Sequence, residues 1–462
     1  MRYFQRFLPV VFLLPSFLAA CDNQTPVDDT SSVEASLSGN QLVHFIRGRN
    51  LFFNETFGGN GRTCVTCHLR NLGNGEPLDN NFDRTPADAQ RLFAEDPTGP
   101  LFRAIDSDDG MGNSYTMLTG HALVRIPFTL PANITVDERD AWVRQAGNGQ
   151  VTATVLRSSP TIENIAFENQ LMWDGRFGGD LPRQAKEAVV THDQPGRLPT
   201  QQEREDLAFY QQQFFTDQAL RSFRNGGPAP VPPQVPSWLL GAQWDSARRG
   251  RAFFVDDGQA VVDATHRDLC ATCHAGPLLN TTSNSNPVQP AGQRISNNFV
   301  AETNALFGLQ LPEHTYHIRV DHDVVMPAGT VFPIPPGVPL FPAGTVFELR
   351  SSDPGHILTT GDPCESVLAC LIQSNPAQGV FRTTSFFKIP TLWGVADSAP
   401  YFHDNSAQSL EDVMRVYSFL FSVTADGLNS LGVNGEPFRL SPQDVTDIIN
   451  YVNFGFRRHP LQ

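Results

Sequence analysis

Two copies of the pentapeptide Cys-x-x-Cys-His constrain this 462-residue chain more than any other feature. Two cysteines three positions apart lie on one face of a helical turn, where their thiols can add to the two vinyl groups of one haem. The histidine that follows can then bind the iron. A redox dithiol or half of a zinc site would leave the histidine unexplained in both copies. The motifs therefore predict two covalently bound haem c groups, and the residues concerned are Cys64, Cys67, His68, Cys270, Cys273 and His274.

The N-terminus has the pattern of an exported lipoprotein. Residues 1–20 combine two arginines with an apolar run that is too short to span a bilayer comfortably, which is typical of a signal peptide. The run ends in Leu-Ala-Ala-Cys, which resembles a bacterial lipobox, so cleavage would leave Cys21 for lipid attachment. Asp22 favours retention at the inner membrane, and the rest of 21–40 is expected to be a flexible tether. Ordinary secretion, with Cys21 a chance residue, is the alternative.

The remaining cysteines fit an oxidising compartment such as the periplasm. Of the seven cysteines, four belong to the motifs and one to the lipid site, which leaves Cys364 and Cys370. Because these two are close in sequence, they predict a small disulfide loop.

The chain is acidic. Its formal net charge is −15, and loss of residues 1–20 with their two arginines would make it −17. This charge argues against nucleic acid as a partner and is compatible with a basic electron-donor protein. No second apolar run is long enough for a transmembrane helix.

The length of the chain and one break in it predict two haem domains. The stretch 225–236 is rich in proline and glycine and cannot continue a helix, and one motif lies on each side of it. We therefore predict an N-terminal haem domain at 41–225 and a C-terminal haem domain at 237–462. Each begins with an amphipathic helix that carries Arg-Gly-Arg and a phenylalanine pair, at 41–53 and 237–254.

Two stretches exceed what a minimal haem domain needs. Residues 75–150 form a long mixed segment, and residues 320–380 contain the repeat Pro-Ala-Gly-Thr-Val-Phe at 327–332 and 342–347. Thr-Val-Phe favours strands and Pro-Ala-Gly favours turns, so a β-hairpin or loop is expected there. The predicted fold class is mainly α, with two cytochrome c-like domains and loop and β-hairpin insertions.

Several short segments follow one pattern of order and spacing across most of residues 45–455. They are Gly48–Phe53, Ser159–Thr161, Asn164, Ala166–Phe167, Trp173–Arg176, Gln184–Ala185, Lys388–Leu392 and Ala399–Asp404. Together they resemble the bacterial di-haem cytochrome c peroxidase family, which also contains MauG-type enzymes. The resemblance implies that His68 holds the iron where peroxide reacts, that His274 holds the electron-transfer iron, and that Trp173 lies between them.

The second ligand of the C-terminal haem departs from the peroxidases of this family. They supply a methionine, but the matching position here is Tyr417, the residue type that MauG-type enzymes use. An anionic phenolate stabilises oxidised iron, whereas methionine raises the potential. Met414 lies one turn earlier on the same helix face. The expected ligand is Tyr417, with Met414 as the alternative.

The peroxide side departs from the family as well. The family places an acid about ten residues after the glutamine that aligns with Gln184, where it moves a proton between the peroxide oxygens. Ungapped counting falls on Gln194, which cannot do this. Asp193, His192 and Glu187 are nearby candidates, and a solvated helix face is the simpler interpretation of Glu187.

The resemblance also implies an iron cap and a calcium ion. His121 is the one histidine between the first motif and the Ser-Pro-Thr segment that could cap the iron; equally, the site is open, as in MauG-type enzymes. Calcium is usual in the family, and its asparagine ligand aligns here with Ser158, together with backbone oxygens near Ser398 and Pro400.

A histidine and aspartate cluster is the last candidate. It comprises His314, His317 and the stretch Asp321–Asp323. Because its spacing fits no familiar zinc site, polar surface is the simpler interpretation, and a metal or haem ligand is the alternative.

The resemblance implies a periplasm-facing oxidoreductase that reduces hydrogen peroxide with electrons from a small cytochrome c or cupredoxin. A MauG-like oxidase that uses peroxide to oxidise a protein or organic substrate is the alternative, and Tyr417 and Gln194 favour it. A third possibility is cleavage of polyisoprene with dioxygen, which related two-haem proteins carry out. Those proteins are usually longer than this chain. A non-catalytic electron-transfer cytochrome would need a sixth ligand for the haem at His68, and the sequence offers no clear one. Dimers are common among these peroxidases, so the resemblance admits a homodimer.

Overall fold

The structure is a computed structural model, and part of the chain lies outside its described residues. The predicted signal peptide, most of the tether and the repeat at 327–332 fall in that part. Among the residues that the structure does describe, no helix combines the length and apolar character needed to cross a membrane. The described residues are 37–68, 85–255, 266–280, 295–298, 306–325, 338–430, 432 and 434–457.

Twelve α-helices lie in the described residues. In chain order they are α1 Gly39–Asn54, α2 Cys64–Cys67, α3 Pro86–Glu95, α4 Thr116–His121, α5 Leu181–Ala188, α6 Gln201–Gln211, α7 Gln218–Arg224, α8 Gly241–Arg251, α9 Ile357–Thr360, α10 Val367–Gln373, α11 Leu410–Ser430 and α12 Pro442–Gly455. A π-helical turn, Val189–Asp193, continues α5 directly. The Pro-rich stretch 225–236 separates α7 from α8 and contains neither helix nor strand.

Ten strands lie in the same described residues, in four small antiparallel sheets. They are β1 Leu123–Thr129, β2 Ile134–Val136, β3 Val143–Gln145, β4 Val151–Ser158, β5 Ile295–Asn298, β6 His314–Arg319, β7 Val324–Val325, β8 Pro339–Phe341, β9 Val346–Ser351 and β10 Ser385–Lys388. The sheet orders are β1-β4-β3, β2-β6-β9, β10-β5 and β7-β8.

The expectation of a mainly α fold is met only in part, because the fold mixes helix and strand. The long mixed segment, 75–150, contains β1 to β3. Alternating branched and apolar residues pair along seven registered positions of β1 and of β4, the strand that directly follows the segment. The second copy of the short repeat does enter a strand, β9, whose partner in the sheet is β6.

The two insertions join the two halves of the chain. Strand β2, which precedes the Pro-rich stretch, pairs with β6, which follows it, in the register Val136↔Tyr316. Tyr316 of β6 is buried in one core cluster with Ile126 of the first insertion and Leu349 of the second. The insertions therefore form a shared core and not two separate decorations.

The expected internal repeat takes the form of two equivalent helix crossings. Helix α1 packs on α6, and α8 packs on α12. A Cβ on Gly48 would clash with the backbone oxygen of Asp206, and a Cβ on Gly250 would clash with that of Asp447. The glycine of each Arg-Gly-Arg thus permits close helix contact.

The expected disulfide is confirmed. Cys364 is bonded to Cys370, and both side chains are buried. The bond fixes the start of α10, and residues of this helix line the cavity described next.

Candidate functional site

A single cavity of about 590 Å³ brings the two Cys-x-x-Cys-His motifs together. Its wall is largely apolar, and it includes Cys67 and His68 of the first motif and Cys273 and His274 of the second. Trp173 lines the same cavity. A volume of this order is typical of cofactor sites.

The first motif forms a short helical turn that ends at its histidine. Helix α2 is Cys64–Cys67, and the amide of His68 donates to the carbonyl of Cys64. The imidazole lies beside Ser159, whose Oγ is 3.3 Å from Nδ1. Ser159 belongs to the Ser-Pro-Thr segment directly after β4, so this strand positions the partner of His68.

The second motif holds its histidine in a defined tautomer. The carbonyl of Leu279 is 3.0 Å from His274 Nδ1 and can only accept, so Nδ1 carries the proton and Nε2 is left as a ligand. Burial lowers the pKa of His274 to about 4. The imidazole is therefore neutral near pH 7, as a metal ligand must be.

Tyr417 faces this histidine. Its hydroxyl is 3.4 Å from His274 Nε2, and both residues line the cavity. Met414, on the same helix α11, is buried and also lines the cavity. Tyr417 therefore presents its hydroxyl to His274 Nε2, where a second iron ligand would be expected.

Trp173 connects the surroundings of both histidines. Its indole Nε1 donates to the carbonyl of Ser158 at 2.9 Å, and Ser158 is bonded covalently to Ser159, the neighbour of His68. On the other side, the carbonyl of Trp173 accepts from the amide of Lys388 at 2.9 Å. Two residues further on, Pro390 hydrogen-bonds through its backbone to His274.

A buried ionic cluster that sequence analysis did not predict supports the Trp173 segment. Arg157 on β4 donates to Asp174 at 2.6 Å and to both carboxylate oxygens of Asp353 at 2.6 and 2.9 Å. Asp174 also accepts from Arg176 at 2.7 Å. Asp353 follows strand β9 of the second insertion, so a local motif search around Trp173 could not have found it.

The glutamine and acid candidates on the peroxide side lie in different surroundings. Gln184 lines the cavity. Gln194 is exposed, has positive φ, and accepts from Asn60 through its side chain at 3.2 Å. Glu187 is partly exposed and pairs with Lys186 at 3.2 Å. Ungapped counting therefore falls on a residue outside the cavity wall.

Asp193 and His192 occupy the π-helical turn but lie in different surroundings. Asp193 is buried, and its charge acts on the thiol of Cys64. Burial raises the pKa of Asp193 to about 7, against the opposing effect of Arg62. His192, which the counting argument left as a secondary candidate, is the residue of this turn that lines the cavity.

The candidate calcium residue and the candidate cap have other contacts. Ser158 donates through Oγ to the carbonyls of Phe402 and His403, at 3.3 and 3.1 Å. His121 does not line the cavity, and its carbonyl accepts from Asn405. Across the described part of the chain, no group of three or more histidine, cysteine or acidic residues is arranged to hold a metal ion.

The histidine and aspartate cluster is dispersed into separate pairs. His314 is buried and lies 3.2 Å from Asp140, whereas His317 lies 3.0 Å from Asp137. His322 pairs with its neighbour Asp321 on the surface. Positions 314 and 317 fall on opposite faces of β6 because side chains alternate along a strand.

The residues around each motif fit a covalently bound haem c. The motif thiols are outside the disulfide, and burial raises the pKa of Cys64 and of Cys270. A redox Cys-x-x-Cys would instead lower the pKa of a thiol. Each motif places its histidine on the apolar cavity wall, where a haem would bury its macrocycle.

Fold and site together define a mixed helix and strand protein with two Cys-x-x-Cys-His motifs on one cavity. No family model matches the chain, and no curated protein matches it. Among solved structures, the chain is similar to a MauG-like protein associated with microbial copper homeostasis, with 13% identity, coverage of 91% of each chain and a TM-score of 0.42. It is also similar to Kuenenia stuttgartiensis hydrazine synthase, with 14% identity, coverage of 84% of this chain and 97% of that chain, and a TM-score of 0.28. At these TM-scores the similarities assign neither an activity nor a residue.

Proposed function

We propose that the protein is a di-haem c-type oxidoreductase that reduces hydrogen peroxide with electrons from a small redox protein. The observation that carries this proposal is the single cavity, because both motifs and Trp173 line it. Two redox groups attached there would be close enough to exchange electrons, which two isolated motifs on a surface would not achieve.

The chain would hold its cofactors through the two motifs. Cys64 and Cys67 would attach one haem, and Cys270 and Cys273 the other, each of which supplies an iron that can bind a ligand and store an electron. His68 and His274 would be the iron ligands. The protein's own contribution is to fix these ligands, exclude water and carry electrons and protons.

Trp173 would carry electrons from the His274 side to the His68 side. The backbone and hydrogen-bond contacts that link Trp173 to both histidines support this role. The indole N–H donates a hydrogen bond to a carbonyl oxygen, and a carbonyl oxygen is not a base that can remove the proton. Electron passage through Trp173 therefore need not be coupled to loss of that proton.

A MauG-like oxidase remains the second candidate, and Tyr417 is the observation that favours it. Its hydroxyl lies 3.4 Å from His274 Nε2, and an anionic ligand at this position would stabilise the oxidised state of the second haem. Such an enzyme would use peroxide to oxidise a protein or organic substrate in place of a small electron donor.

We also propose where the protein acts in the cell. We infer haem domains at 41–225 and 237–462, export to the periplasm, and a lipid anchor at Cys21 at the inner membrane. The net charge of −15 supports a basic cytochrome c or cupredoxin as the donor.

Stopped-flow absorption separates the candidate functions. The purified protein with its haems attached is mixed with stoichiometric peroxide, with and without a reduced small cytochrome c. Fast oxidation of the donor that requires peroxide is the expected result. A slow-decaying spectral change that needs no donor would favour the MauG-like oxidase. No reaction in either mixture would contradict both proposals.

A further inference from the structure

We propose that His192 is the catalytic base and acid that moves a proton between the two oxygens of peroxide. The inference rests on the proposed function and identifies a residue for the step that Gln194 cannot perform. It is carried by the position of His192 on the cavity wall and by the contacts that hold its turn in place.

The backbone around His192 is hydrogen-bonded to the loop that precedes the first motif. The carbonyl of His192 accepts from Asn60 Nδ2 at 2.9 Å and from Arg62 at 3.3 Å, and the amide of Asn60 donates to the carbonyl of Asp193 at 2.7 Å. A Cβ on Gly59 would clash with that same carbonyl of Asp193. The backbone of this loop is therefore in direct contact with the backbone of the turn, with no room for a side chain at Gly59.

Arg62 also connects the turn of His192 to the first motif. The buried guanidinium of Arg62 donates to the carbonyls of Pro100 and Leu101 at 2.9 and 2.6 Å, and it interacts electrostatically with Cys67. Two residues on from Arg62, the motif begins at Cys64. The turn that carries His192 is thus fixed relative to the motif whose haem would receive peroxide.

The π-helical geometry decides which side chain enters the cavity. A π turn is often found at functional sites because its extra residue changes the direction of the side chains that follow. Here His192 lines the cavity, Asp193 is buried beside the thiol of Cys64, and Gln194 is exposed. Counting along an α-helix could not give this result.

The charges that face His192 leave its imidazole neutral. Burial lowers the pKa of His192 to about 4; the carboxylate of Asp106 opposes this effect, whereas Arg62 and Arg176 reinforce it. Above about pH 4 the side chain can accept a proton, and below it this capacity is lost. Asp193, the next residue, is the other titratable group on the turn.

In the proposed step, one proton moves between the two oxygens of peroxide. His192 accepts the proton from the peroxide oxygen nearer His68 and returns it to the other oxygen, whose bond to the first oxygen breaks as water leaves. The oxygen that stays behind becomes a second water on taking two electrons from the donor and two protons from solvent. His192 is regenerated unchanged, so a single neutral imidazole suffices.

The test compares His192→Gln with His44→Gln as its matched control. Both histidines are partly exposed, but His44 lies outside the cavity wall. Glutamine keeps hydrogen bonding but cannot act as a base at these pH values. For both variants we would measure the haem content and absorption spectrum, the rate of reaction with peroxide, and the rate of cyanide binding. Hydrogen cyanide also has to lose a proton as it binds.

We expect His192→Gln to slow the reaction with peroxide by about 10²- to 10⁴-fold and to slow cyanide binding, with haem content and spectrum unchanged. His44→Gln should equal the unmodified protein in every measurement. A rate of cyanide binding in His192→Gln equal to that of the control would overturn the proposal. So would equal slowing in both variants. If the unmodified protein does not react with peroxide, the proposed function fails, but the cyanide comparison still decides whether His192 is a base.

Discussion

The carboxyl group of Asp193 is an ionisable group held where its charge is unfavourable. It is 6% exposed, and burial raises its pKa to about 7. In the unfolded chain the same group releases its proton near its ordinary pKa of about 3.8. Between these values the folded protein binds a proton that the unfolded chain has lost. The contribution of Asp193 to stability therefore falls as pH rises from about 4 to about 7.

Asp193→Asn should remove this dependence. We expect the variant to gain stability relative to the unmodified protein as pH rises from 4 to 8, by at most about 4 kcal/mol, since one pKa unit corresponds to about 1.4 kcal/mol. Urea unfolding at pH 4, 6 and 8 measures the free energies. Glu205→Gln, an exposed side chain on α6, is the control. A constant difference between Asp193→Asn and the unmodified protein across this pH range would contradict the account.

At this scale the sequence predicted the residues that have a fixed local spacing. The motif cysteines and histidines, Trp173 and the pair Cys364 and Cys370 could be named because each belongs to a short pattern or is close to its partner. Gln194 lies outside the cavity wall because one π turn shifts the register of the residues after α5. Arg157 and Asp353 were missed because 196 residues separate the two halves of that ion pair.

At the scale of elements, the two glycines in the Arg-Gly-Arg segments set the distance between helices. Gly48 lies against Asp206 and Tyr210, and Gly250 lies against Asp447 and Tyr451. In each case an aspartate and a tyrosine four residues apart on the second helix receive the glycine. The repeat therefore includes both helices of each crossing, whereas the sequence pattern had revealed only the first.

Gly250→Ala should be destabilising although alanine is the better helix former. We expect a loss of about 1–3 kcal/mol, because the added methyl group overpacks the contact between α8 and α12. Gly120→Ala is the control, since Gly120 also lies in a helix but has no atom within 4 Å of the added Cβ. It should be neutral or stabilising by up to about 1 kcal/mol.

Thermal and urea unfolding of both variants would give the two free energies of unfolding. Equal effects at Gly250 and Gly120 would show that the close approach of α8 and α12 is not required.

Helices were easier to predict than strands for a physical reason. The amphipathic segment expected at 41–53 lies within α1, and the one expected at 237–254 contains α8. A helix is defined by neighbours within four residues, so its pattern can be recognised locally. The pairing of β2 with β6 joins Thr135 to His317, and nothing local in either strand specifies that partner. The balance of helix and strand was misjudged for the same reason.

At the scale of the whole molecule, the halves that flank the Pro-rich stretch are in close contact. Their shared features include the β2-β6-β9 sheet, the ion pair of Arg157 with Asp353, and the wall of the central cavity. Motif spacing predicts two haem c groups, but it could not predict that both motifs would line one cavity. The proposed electron path depends on this arrangement, and Trp173 is the residue where it can be interrupted.

The most direct measurement is a single-turnover stopped-flow experiment on Trp173→Phe, with Trp142→Phe as the control. Trp142 stacks on Arg125 at 3.8 Å and lies outside the cavity wall. Protein with both haems reduced is mixed with peroxide, and oxidation of each haem is followed by its absorption. We expect oxidation of the haem at His274 to slow about tenfold or more in Trp173→Phe, a barrier increase of at least about 1.4 kcal/mol, and to be unchanged in Trp142→Phe. Oxidation of that haem at the unmodified rate in Trp173→Phe would contradict the account.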